Sequence, residues 1–418
     1  MLTVTNWYPP HHHGGYELSC FDVMTSLEER GHEVHVLCGD TRLGTAQPEN
    51  LDHETRVRRS LRLYHDGEDV LRPSWPERWS IERHNQRELL AALREVKPDV
   101  ISVWHLAGVS HGLLTTLARS GVPVVFSICD DWLTYGLRLD PWGMPFNRSA
   151  WRRALGRAVE VVARVPCVVP DVGDLGSFLF VTRATEATAL ATARWHPERR
   201  AVVWSGIDLA LFDGPATDPP PWSWRLITTG RFDPRKGFET VIRALALLPA
   251  EAELFCWGRG GHDERLRLEA IAAELGIADR VHLGTLERDE LPAAYRASDA
   301  MVFPSIWAEP FGLVPIEAMA CGVPVLATGV GGSSEFLVHE QNCLRFPPGD
   351  HERLAEEVRR LAGDLDLRRR LVAGGLRTAA EMDVGRLVDI MEEWHIYEAR
   401  GRVGDAPAQR PNPAGLDH

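Results

Sequence analysis

The stretch SDAMVFPSIWAEPFGLVPIEAMACGVPVLATGVGGSSE, residues 298–335, decides the fold. The apolar run at 300–304 predicts a strand, residues 313–321 have helical spacing, and residues 323–328 predict a second strand. A strand, a loop, a helix and another strand form the repeating unit of a parallel sheet, and the turn that enters the helix is where such sheets bind phosphate.

The ends of this helix are marked by residues that favour helix boundaries. Pro315 stands near the predicted start, and Gly322 followed by Pro324 stands just past the end. These bounds predict that Glu317 lies in the first turn of the helix. Glu309 precedes it by eight positions, so two carboxylates flank the predicted phosphate-binding turn.

Two more strands on the amino-terminal side of this stretch are followed by glycine-containing turns. The strand predicted at 225–229 leads into Arg231 and Lys236, and the strand predicted at 253–257 leads into Gly258. The glycine spacing after the second strand does not match a dinucleotide fingerprint, which argues against NAD. Cations and free amides at the ends of parallel strands are what a diphosphate requires.

Lysine is rare in this chain. Only Lys97 and Lys236 occur, so 46 − 2 = 44 of the basic residues are arginine. A chain that almost always uses arginine and still places a lysine beside a glycine suggests a local need for a compact ammonium group.

The amino-terminal half has the same alternation of strands and helices. Gly14 and Gly15 open a helix directly after a first strand, where backbone N–H groups would face a ligand. His105 follows the strand predicted at 100–104, and Asp130 follows the next one. The sequence RSGVPVV at 119–125 is echoed by ACGVPVL at 320–326, which indicates two similarly built halves.

Aromatic side chains follow the strand that delivers Asp130. Trp132, Tyr135 and Trp142 are candidates to stack on an acceptor, although core packing explains them equally well. Residues 148–164 form an amphipathic arginine-rich helix, for which a solvated face is favoured over docking to a membrane surface.

Length predicts two domains, and the proline-rich stretch 214–221 marks the boundary between them. The predicted parts are an acceptor-binding domain at 1–205, a linker at 206–222, a donor-binding domain at 223–375, a helix at 376–400 that returns toward the first domain, and a disordered tail at 401–418.

Composition limits the partners of the protein. A net charge of −13 argues against nucleic acid, and the seven cysteines show no paired spacing, which is typical of a reducing compartment. No apolar run approaches ~20 residues, so we expect a cytoplasmic protein with at most peripheral membrane contact.

His11 to His13 lack a second ligand cluster, and an exposed loop is favoured over a metal site.

Taken together, these segments resemble glycosyltransferase family 4, the retaining enzymes of the GT-B fold that use nucleotide sugars. The strongest match is the E-x7-E motif from Glu309 to Glu317. The other matching segments are Gly230-Arg231-Phe232, Lys236-Gly237, Gly331-Gly332 with Glu335, Gly14-Gly15 and Gly206-Ile207-Asp208. The resemblance implies two Rossmann-like α/β/α domains that face each other across a cleft.

The resemblance also implies roles for individual residues. Arg231 and Lys236 would hold the donor diphosphate and stabilise its departure, Glu309 would contact the sugar hydroxyls, and Glu317 would contact the ribose. The backbone amides that would contact the phosphate or the sugar are those of Phe311, Gly312 and Leu313. The glycines expected near the donor are Gly14, Gly15 and Gly258.

The first domain departs from the family pattern at one position. Many members have a histidine before Asp-x-Trp at the reaction centre, where this chain has Cys129. A thiol cannot replace the hydrogen bond of an imidazole. Either His105 takes over the contact, or Asp130 or Asp131 does, or none is needed. Ser205, where the family usually has asparagine, is a smaller departure.

The expected reaction is retaining transfer of a hexose-type sugar from a nucleotide diphosphate sugar to a hydroxyl of a glycan, a lipid-linked or a small-molecule acceptor. No metal or cofactor is expected, because Arg231 and Lys236 supply positive charge. Same-face attack is favoured, since no carboxylate is an obvious nucleophile, and the domains would close about the linker. The alternatives are a sugar phosphorylase, a nucleotide-sugar epimerase, and a non-catalytic nucleotide-sugar-binding subunit. The oligomeric state stays open.

Overall fold

A computed structural model describes residues 1–12, 14–42, 56–66, 69–213, 218–403 and 406–407. It divides into two compact units, one formed by residues 1–204 together with the chain from Leu387, and the other by residues 205–386. The proline-rich stretch falls partly, and the predicted tail mostly, outside the described residues. His13 also lies outside them, and His11 is buried rather than exposed.

The first unit alternates strands and helices along the chain. Its strands are β1 (Leu2–Val4), β2 (His35–Gly39), β3 (Val57–Leu61), β4 (His65–Asp66), β5 (Asp69–Val70), β6 (Ile101–Val103), β7 (Val124–Ile128), β8 (Gly176–Phe180) and β9 (Arg199–Val202). Its helices are α1 (Gly15–Glu29), α2 (Trp75–Val96), α3 (Gly112–Ser120), α4 (Trp132–Leu139), α5 (Met144–Asn147), α6 (Ala150–Ala163) and α7 (Arg183–Thr192).

Seven strands of the first unit form a parallel sheet in the order β3-β2-β1-β6-β7-β8-β9, and β4 and β5 form a separate antiparallel pair. β7 and β8 are buried along their whole length because both faces of the sheet are covered, as parallel sheets require. β1 lies next to β6, so the loop that follows β1 and the residues that follow β6 meet at the same edge.

Two of the helices in the first unit start at recognisable caps or predicted positions. Helix α2 begins at Trp75, because Ser74 and Glu77 form a capping box and Pro76 occupies the first turn. Helix α6 lies inside the predicted range of 148–164.

The second unit has the same design. Its strands are β10 (Arg225–Thr229), β11 (Glu253–Trp257), β12 (Val281–Gly284), β13 (Ala300–Phe303), β14 (Val325–Ala327) and β15 (Leu344–Arg345). Its helices are α8 (Leu209–Phe212), α9 (Phe238–Leu245), α10 (His262–Glu274), α11 (Leu291–Arg296), α12 (Leu313–Ala320), α13 (His351–Gly363) and α14 (Leu365–Glu381). Helix α15 (Val384–Ala399) follows, and most of it belongs to the first unit.

The six strands of the second unit are parallel in the order β12-β11-β10-β13-β14-β15. The predicted strand-loop-helix-strand unit is therefore confirmed as β13, α12 and β14. β10 and β13 are neighbours at the centre of the sheet, so the loops after them adjoin each other.

The position of Glu317 in α12 differs from the prediction. The helix begins at Leu313, two residues before Pro315, because Gly312 caps it in the left-handed region at φ 101°. Glu317 consequently lies in the second turn and is not a first-turn acid that complements the helix dipole.

The helices after residue 350 also break at different places than predicted. The predicted start of the last helix, at residue 376, lies inside α14, and the chain instead turns near Asp364 and near Met382. Gly374 and Gly375 lie within α14. An added Cβ at Gly374 would lie 1.9 Å from the carbonyl oxygen of Gln341, so the glycine permits close packing of the helix.

None of the seven cysteines, all of which lie within the described residues, forms a disulfide, and each is buried except Cys129, which is partly exposed. No helix in the described part of the chain is both long enough and apolar enough to cross a membrane.

Candidate active site

In the second unit, Lys236 and Glu309 form an ion pair at the carboxyl edge of the sheet. Lys236 follows β10 on a short turn, and Glu309 follows β13. Nζ of Lys236 donates to Oε1 of Glu309, and the hydroxyl of Ser305 lies 3.3 Å from Oε2. The side chains of Lys236 and Glu309 are 20% and 8% exposed, so water screens the pair only partly.

The backbone of Glu309 is fixed independently of this ion pair. Glu309 forms a parallel bridge with Gly331, and the amide of Gly332 donates to the carbonyl of Glu309 over 2.6 Å. A Cβ at Gly331 would lie 2.5 Å from backbone atoms of Glu309, and φ is 68°. Only glycine fits there, which explains the Gly331-Gly332 pair in the sequence.

Close backbone approach also explains two glycines beside β10 and β11. A Cβ at Gly258 would lie 2.0 Å from the carbonyl oxygen of Gly230, and one at Gly237 would lie 2.1 Å from that of Pro304. Bulkier residues would push the loops at this edge apart. The glycines therefore keep Lys236 within reach of Glu309.

Glu317 lies on α12 and is held by Tyr295. The phenol of Tyr295 donates to Oε2 of Glu317 over 3.0 Å and lies 2.8 Å from Oγ1 of Thr229, the last residue of β10. Burial raises the pKa of Glu317, while the Tyr295 hydrogen bond and the charge of Arg288 oppose this shift. The carboxylate of Glu317 is therefore a hydrogen-bond acceptor that a donor group on a ligand would stabilise.

The other predicted donor residues are arranged as follows. Arg231 is exposed after β10, and within the described residues it forms no ion pair. Phe311 is buried and packs on Phe336, so only its backbone can serve a ligand. Gly312 and Leu313 are partly exposed at the start of α12, where the first amides of a helix lack internal partners.

In the first unit, His105 lies between two carboxylates. Its Nδ1 is 3.5 Å from Oε1 of Glu17, and its Nε2 is 3.3 Å from Oδ2 of Asp130. The phenol of Tyr135 donates to the same oxygen of Asp130 over 2.5 Å. Tyr16 stacks on the imidazole with ring centroids 4.7 Å apart. The structure thus brings together His105, Asp130 and Tyr135 from the sequence prediction.

The carboxylates control the protonation of His105. Burial lowers the pKa of the imidazole, but the charge and hydrogen bond of Asp130 and those of Glu17 outweigh burial and raise this pKa to about 9. The same contacts lower the pKa of Asp130 and of Glu17 against the opposing effect of burial. The carboxylates therefore favour the imidazolium form of His105, in which both ring nitrogens are hydrogen-bond donors, although the amide nitrogen of Asn6 also lies 3.1 Å from Nδ1.

The Gly14-Gly15 turn does open helix α1, but one of its amides is already occupied. The N–H of Gly14 donates to Oε2 of Glu17 over 2.9 Å, which is half of a capping box. The carboxylate of Glu17 thus occupies the Gly14 amide, which the sequence predicted to contact the donor. This carboxylate would repel a donor phosphate there.

Cys129 is a neutral thiol beside this cluster. Burial and the charges of Asp130 and Glu17 raise its pKa. Burial, followed by the charge of Asp130, also raises the pKa of Asp131. His105, Asp130 and Asp131 were the candidates to replace the histidine that many family members have at the position of Cys129. Of these three residues, His105 is the one with an imidazole.

The aromatic acceptor platform predicted from sequence is wrong for two of its three members. Trp132 is fully buried in the main core of the first unit, and Trp142 is 3% exposed beside Tyr64 and Phe146. Their rings are covered by the protein and cannot stack on a ligand. Tyr135 is partly exposed and remains available through its phenol.

Sequence reasoning missed three residues of these clusters. Glu17 is three positions after the capping glycine, so the capping-box pattern could have found it. Tyr16 and Tyr295 carried no such signal, because their roles depend on which strands are neighbours. In the described part of the chain, no group of three His, Cys, Asp or Glu side chains is arranged to hold a metal ion.

The two parallel α/β units, each with polar residues at the carboxyl edge of its sheet, define the GT-B class of glycosyltransferases. The fold matches sucrose-phosphate synthase from Thermosynechococcus elongatus with a TM-score of 0.70 and 20% identity, over 96% of this chain and 100% of that one. Anabaena HepE, solved in complex with UDP-glucose, matches with a TM-score of 0.67 and 20% identity, over 94% and 98%.

Family models cover most of the chain. The model described as Glycosyltransferase Family 4 matches residues 13–211, and that described as Glycosyl transferases group 1 matches residues 218–377. The chain belongs to glycosyltransferase family 4. The D-inositol 3-phosphate glycosyltransferase of Salinispora tropica is 31% identical over 305 residues, 64% of this chain and 63% of that relative. The match thus spans less than two thirds of the relative's length.

Proposed function

We propose that the chain transfers a hexose-type sugar from a nucleoside diphosphate sugar to an acceptor hydroxyl. The observation that carries this proposal is the Lys236–Glu309 ion pair between the ends of β10 and β13. In this pair, the ammonium of Lys236 could bind a phosphate of the donor, and the adjacent carboxylate of Glu309 could accept hydrogen bonds from the sugar hydroxyls. Relatives with glycosyltransferase names and a fold neighbour solved with UDP-glucose support the same assignment.

The donor is assigned to the second unit. Lys236 and exposed Arg231 would bind the diphosphate, and Glu317, held by Tyr295, would accept hydrogen bonds from the ribose hydroxyls. Burial raises the pKa of Glu317, so hydrogen bonds donated by the ribose hydroxyls would offset part of the cost of keeping this carboxylate ionised.

In the reaction, the bond between the anomeric carbon and the diphosphate oxygen breaks, and the acceptor oxygen bonds to the anomeric carbon. The acceptor proton passes to the departing phosphate oxygen. Lys236 and Arg231 would stabilise the negative charge that develops on the diphosphate, which is the kind of electrostatic assistance that dominates many enzymes. No metal is required in this scheme, and retention would follow from attack on the same face.

In the first unit, we assign to His105 the contact that the family histidine makes. The ring nitrogens of His105 face Glu17 and Asp130, so the imidazole would bind a sugar or acceptor oxygen in exchange for one of these contacts, whereas the neutral thiol of Cys129 is a weak donor. Tyr135, which shares Asp130 with His105, is the remaining acceptor candidate from the sequence.

A thermal-shift panel of UDP, GDP, ADP and dTDP and their sugars tests donor binding. A donor at ~100 times its dissociation constant raises stability by about 2.7 kcal/mol. The donor that binds is then assayed for transfer to inositol phosphate, glycan and lipid-linked acceptors, with the anomeric configuration read by NMR.

Five outcomes would contradict the proposal or its mechanism. Absence of any thermal shift would remove the donor site, and binding without transfer to any acceptor would favour a non-catalytic subunit. Turnover with inorganic phosphate would indicate a phosphorylase, and turnover without an acceptor an epimerase. A covalent glycosyl-enzyme adduct would replace the same-face mechanism by a two-step one.

A further inference from the structure

Helix α6 presents an apolar face to solvent. Trp151, Leu155, Val161 and Val162 are 65%, 51%, 78% and 85% exposed, whereas Gly156 is the only buried residue in the helix. At 100° per residue, these four side chains fall on the side of the helix opposite Gly156. Large apolar side chains that are exposed together, and not singly, mark an interaction surface.

The apolar face continues onto the neighbouring helix α2. Trp79 is 36% exposed, and its indole N–H donates to the carbonyl of Ala163 over 2.9 Å. Trp79 and Val162 line an open apolar cleft together with Ala158. We call this surface, formed by Trp79 and the exposed residues of α6, the α6 face.

Most charged side chains on or beside α6 are positive. The basic residues on or beside the helix are Arg148, Arg152, Arg153, Arg157 and Arg164. Glu160 is the acid of the helix, and its Oε1 accepts hydrogen bonds from the amides of Cys167 and Val168, so it is turned inward. A chain with net charge −13 thus concentrates positive charge around one exposed apolar helix.

This combination selects one kind of partner. A second copy docked through the same face would bring two sets of arginines together, which disfavours self-association. An anionic bilayer offers phosphate groups to the arginines and acyl chains to Trp151, Leu155 and Val162. The helix of 14 residues is suited to lie in the plane of the interface, since it is too short to cross it.

We propose that the α6 face docks the protein on an anionic lipid surface. This inference is independent of the proposed transfer reaction, because it concerns a surface helix whose binding is measured without donor or acceptor.

Vesicle flotation tests the proposal with full-length protein. Vesicles of phosphatidylcholine mixed one to one with phosphatidylglycerol should bind the protein, and binding should fall with added salt. Pure phosphatidylcholine vesicles should bind it at least about tenfold more weakly, because the arginines lose their partners.

Matched variants separate the α6 face from general effects of charge. Leu155→Asp and Val162→Asp should each reduce binding to anionic vesicles at least about tenfold, since each puts a carboxylate at the lipid boundary. Leu266→Asp is the control, because Leu266 is 50% exposed on α10 of the other unit. It should bind vesicles as the wild type does. Circular dichroism checks that each variant is folded.

A second pair of variants tests the charges. Arg153→Gln with Arg157→Gln should weaken binding and reduce its salt dependence, whereas Arg370→Gln, at an exposed position in the second unit, should not.

Several results would overturn the proposal. These are equal vesicle binding by Leu155→Asp and Leu266→Asp, equal binding to neutral and anionic vesicles, and no vesicle binding by the wild type. A wild-type dimer that Leu155→Asp dissociates, without vesicle binding, would assign the α6 face to a protein interface instead.

Discussion

The ammonium of Lys236 is bound by the carboxylate of Glu309, although the two residues are 73 positions apart in the chain. They meet because β10 and β13 are neighbours in the sheet, so the loops that follow them share one edge. One residue of the proposed diphosphate site and one of the proposed sugar site are therefore in contact before any ligand binds.

Lys236→Ala should abolish most transfer and also lower stability. Loss of a cation at a developing negative charge typically costs on the order of 10²–10³ in rate. Glu309 would remain buried without its partner, which should reduce the free energy of unfolding by about 1–3 kcal/mol. The double variant Lys236→Ala with Glu309→Gln should recover stability, measured by urea denaturation, but not transfer. Wild-type transfer by Lys236→Ala would refute the site.

Tyr295→Phe should weaken binding of the nucleotide while the fold is kept. The variant removes the phenol that orients Glu317, and one hydrogen bond is worth about 1 kcal/mol, or roughly fivefold in affinity. Calorimetry with the nucleoside diphosphate found in the thermal-shift panel measures the change. KM for the donor should rise more than kcat falls. Tyr397→Phe, whose ring packs on Trp394, is the control and should bind normally. Equal affinities in the two variants would argue against a positioning role for Tyr295.

His105→Gln should flatten the dependence of stability on pH above neutrality. The pKa of His105 is about 9 in the folded state, above its unfolded value of about 6.5. Its contribution is thus complete below pH ~6.5 and is lost as pH rises through 9. The difference in unfolding free energy between wild type and variant, roughly 3 kcal/mol at pH 6, should shrink toward pH 10. A difference that is constant over this range would show that His105 does not titrate there.

Glu82→Gln should stabilise the protein at alkaline pH. Burial, followed by the charge of Asp140, raises the pKa of Glu82 to about 8. Since this value exceeds the unfolded one, ionisation of Glu82 costs stability increasingly as pH rises from ~4.5 through 8. Glutamine keeps an oxygen for the phenol of Tyr64, which donates to Oε1 over 2.7 Å. We expect similar stability at pH 5 and a gain above about 1 kcal/mol at pH 9. Parallel unfolding curves at both pH values would contradict this expectation.

Two glycine-to-alanine substitutions should have opposite effects. Gly374→Ala inside α14 should destabilise by about 1–3 kcal/mol, because its Cβ would lie 1.9 Å from the carbonyl oxygen of Gln341. Gly363→Ala at the end of α13 meets no atom within 4 Å and should be neutral or stabilising by up to about 1 kcal/mol. Thermal unfolding measures both. Equal melting temperatures would mean that the packing of α14 is looser than the structure indicates.

The sequence alone predicted much of the second unit, because local signals mark its site. Apolar runs predicted the strands. Charged residues in the loops and the helix that follow these strands identified Lys236, Glu309 and Glu317 as candidate site residues. Because the carboxyl ends of parallel strands share an edge, the sequence placed these residues at one edge of the sheet, whereas the contact between Lys236 and Glu309 depends on β10 and β13 being neighbours.

The contacts in the first unit needed information that the sequence does not contain. Glu17 reaches His105 only because β1 lies beside β6, and strand order cannot be read from apolar runs. The burial of Trp132 was equally hidden, since a core aromatic residue and a ligand platform have the same pattern. The requirement for glycine at position 374 was hidden as well, because the backbone that it packs against, at Gln341, is distant in sequence.

The fixed backbone of Glu309 has a consequence for ligand discrimination. Gly331 and Gly332 keep Glu309 in place whether or not Lys236 holds its carboxylate. On the proposed assignment, a nucleotide sugar can therefore exchange partners with the pair. Its phosphate takes the ammonium, and its hydroxyls satisfy the carboxylate that is left. Free phosphate, or a nucleotide without a sugar, can bind the ammonium of Lys236 but has no hydroxyls for Glu309. The carboxylate of Glu309 would then be buried without a partner to replace Lys236. Lys236 is the counter-ion of Glu309, so a ligand that takes Lys236 without offering hydroxyls to Glu309 is expected to bind more weakly than a complete nucleotide sugar.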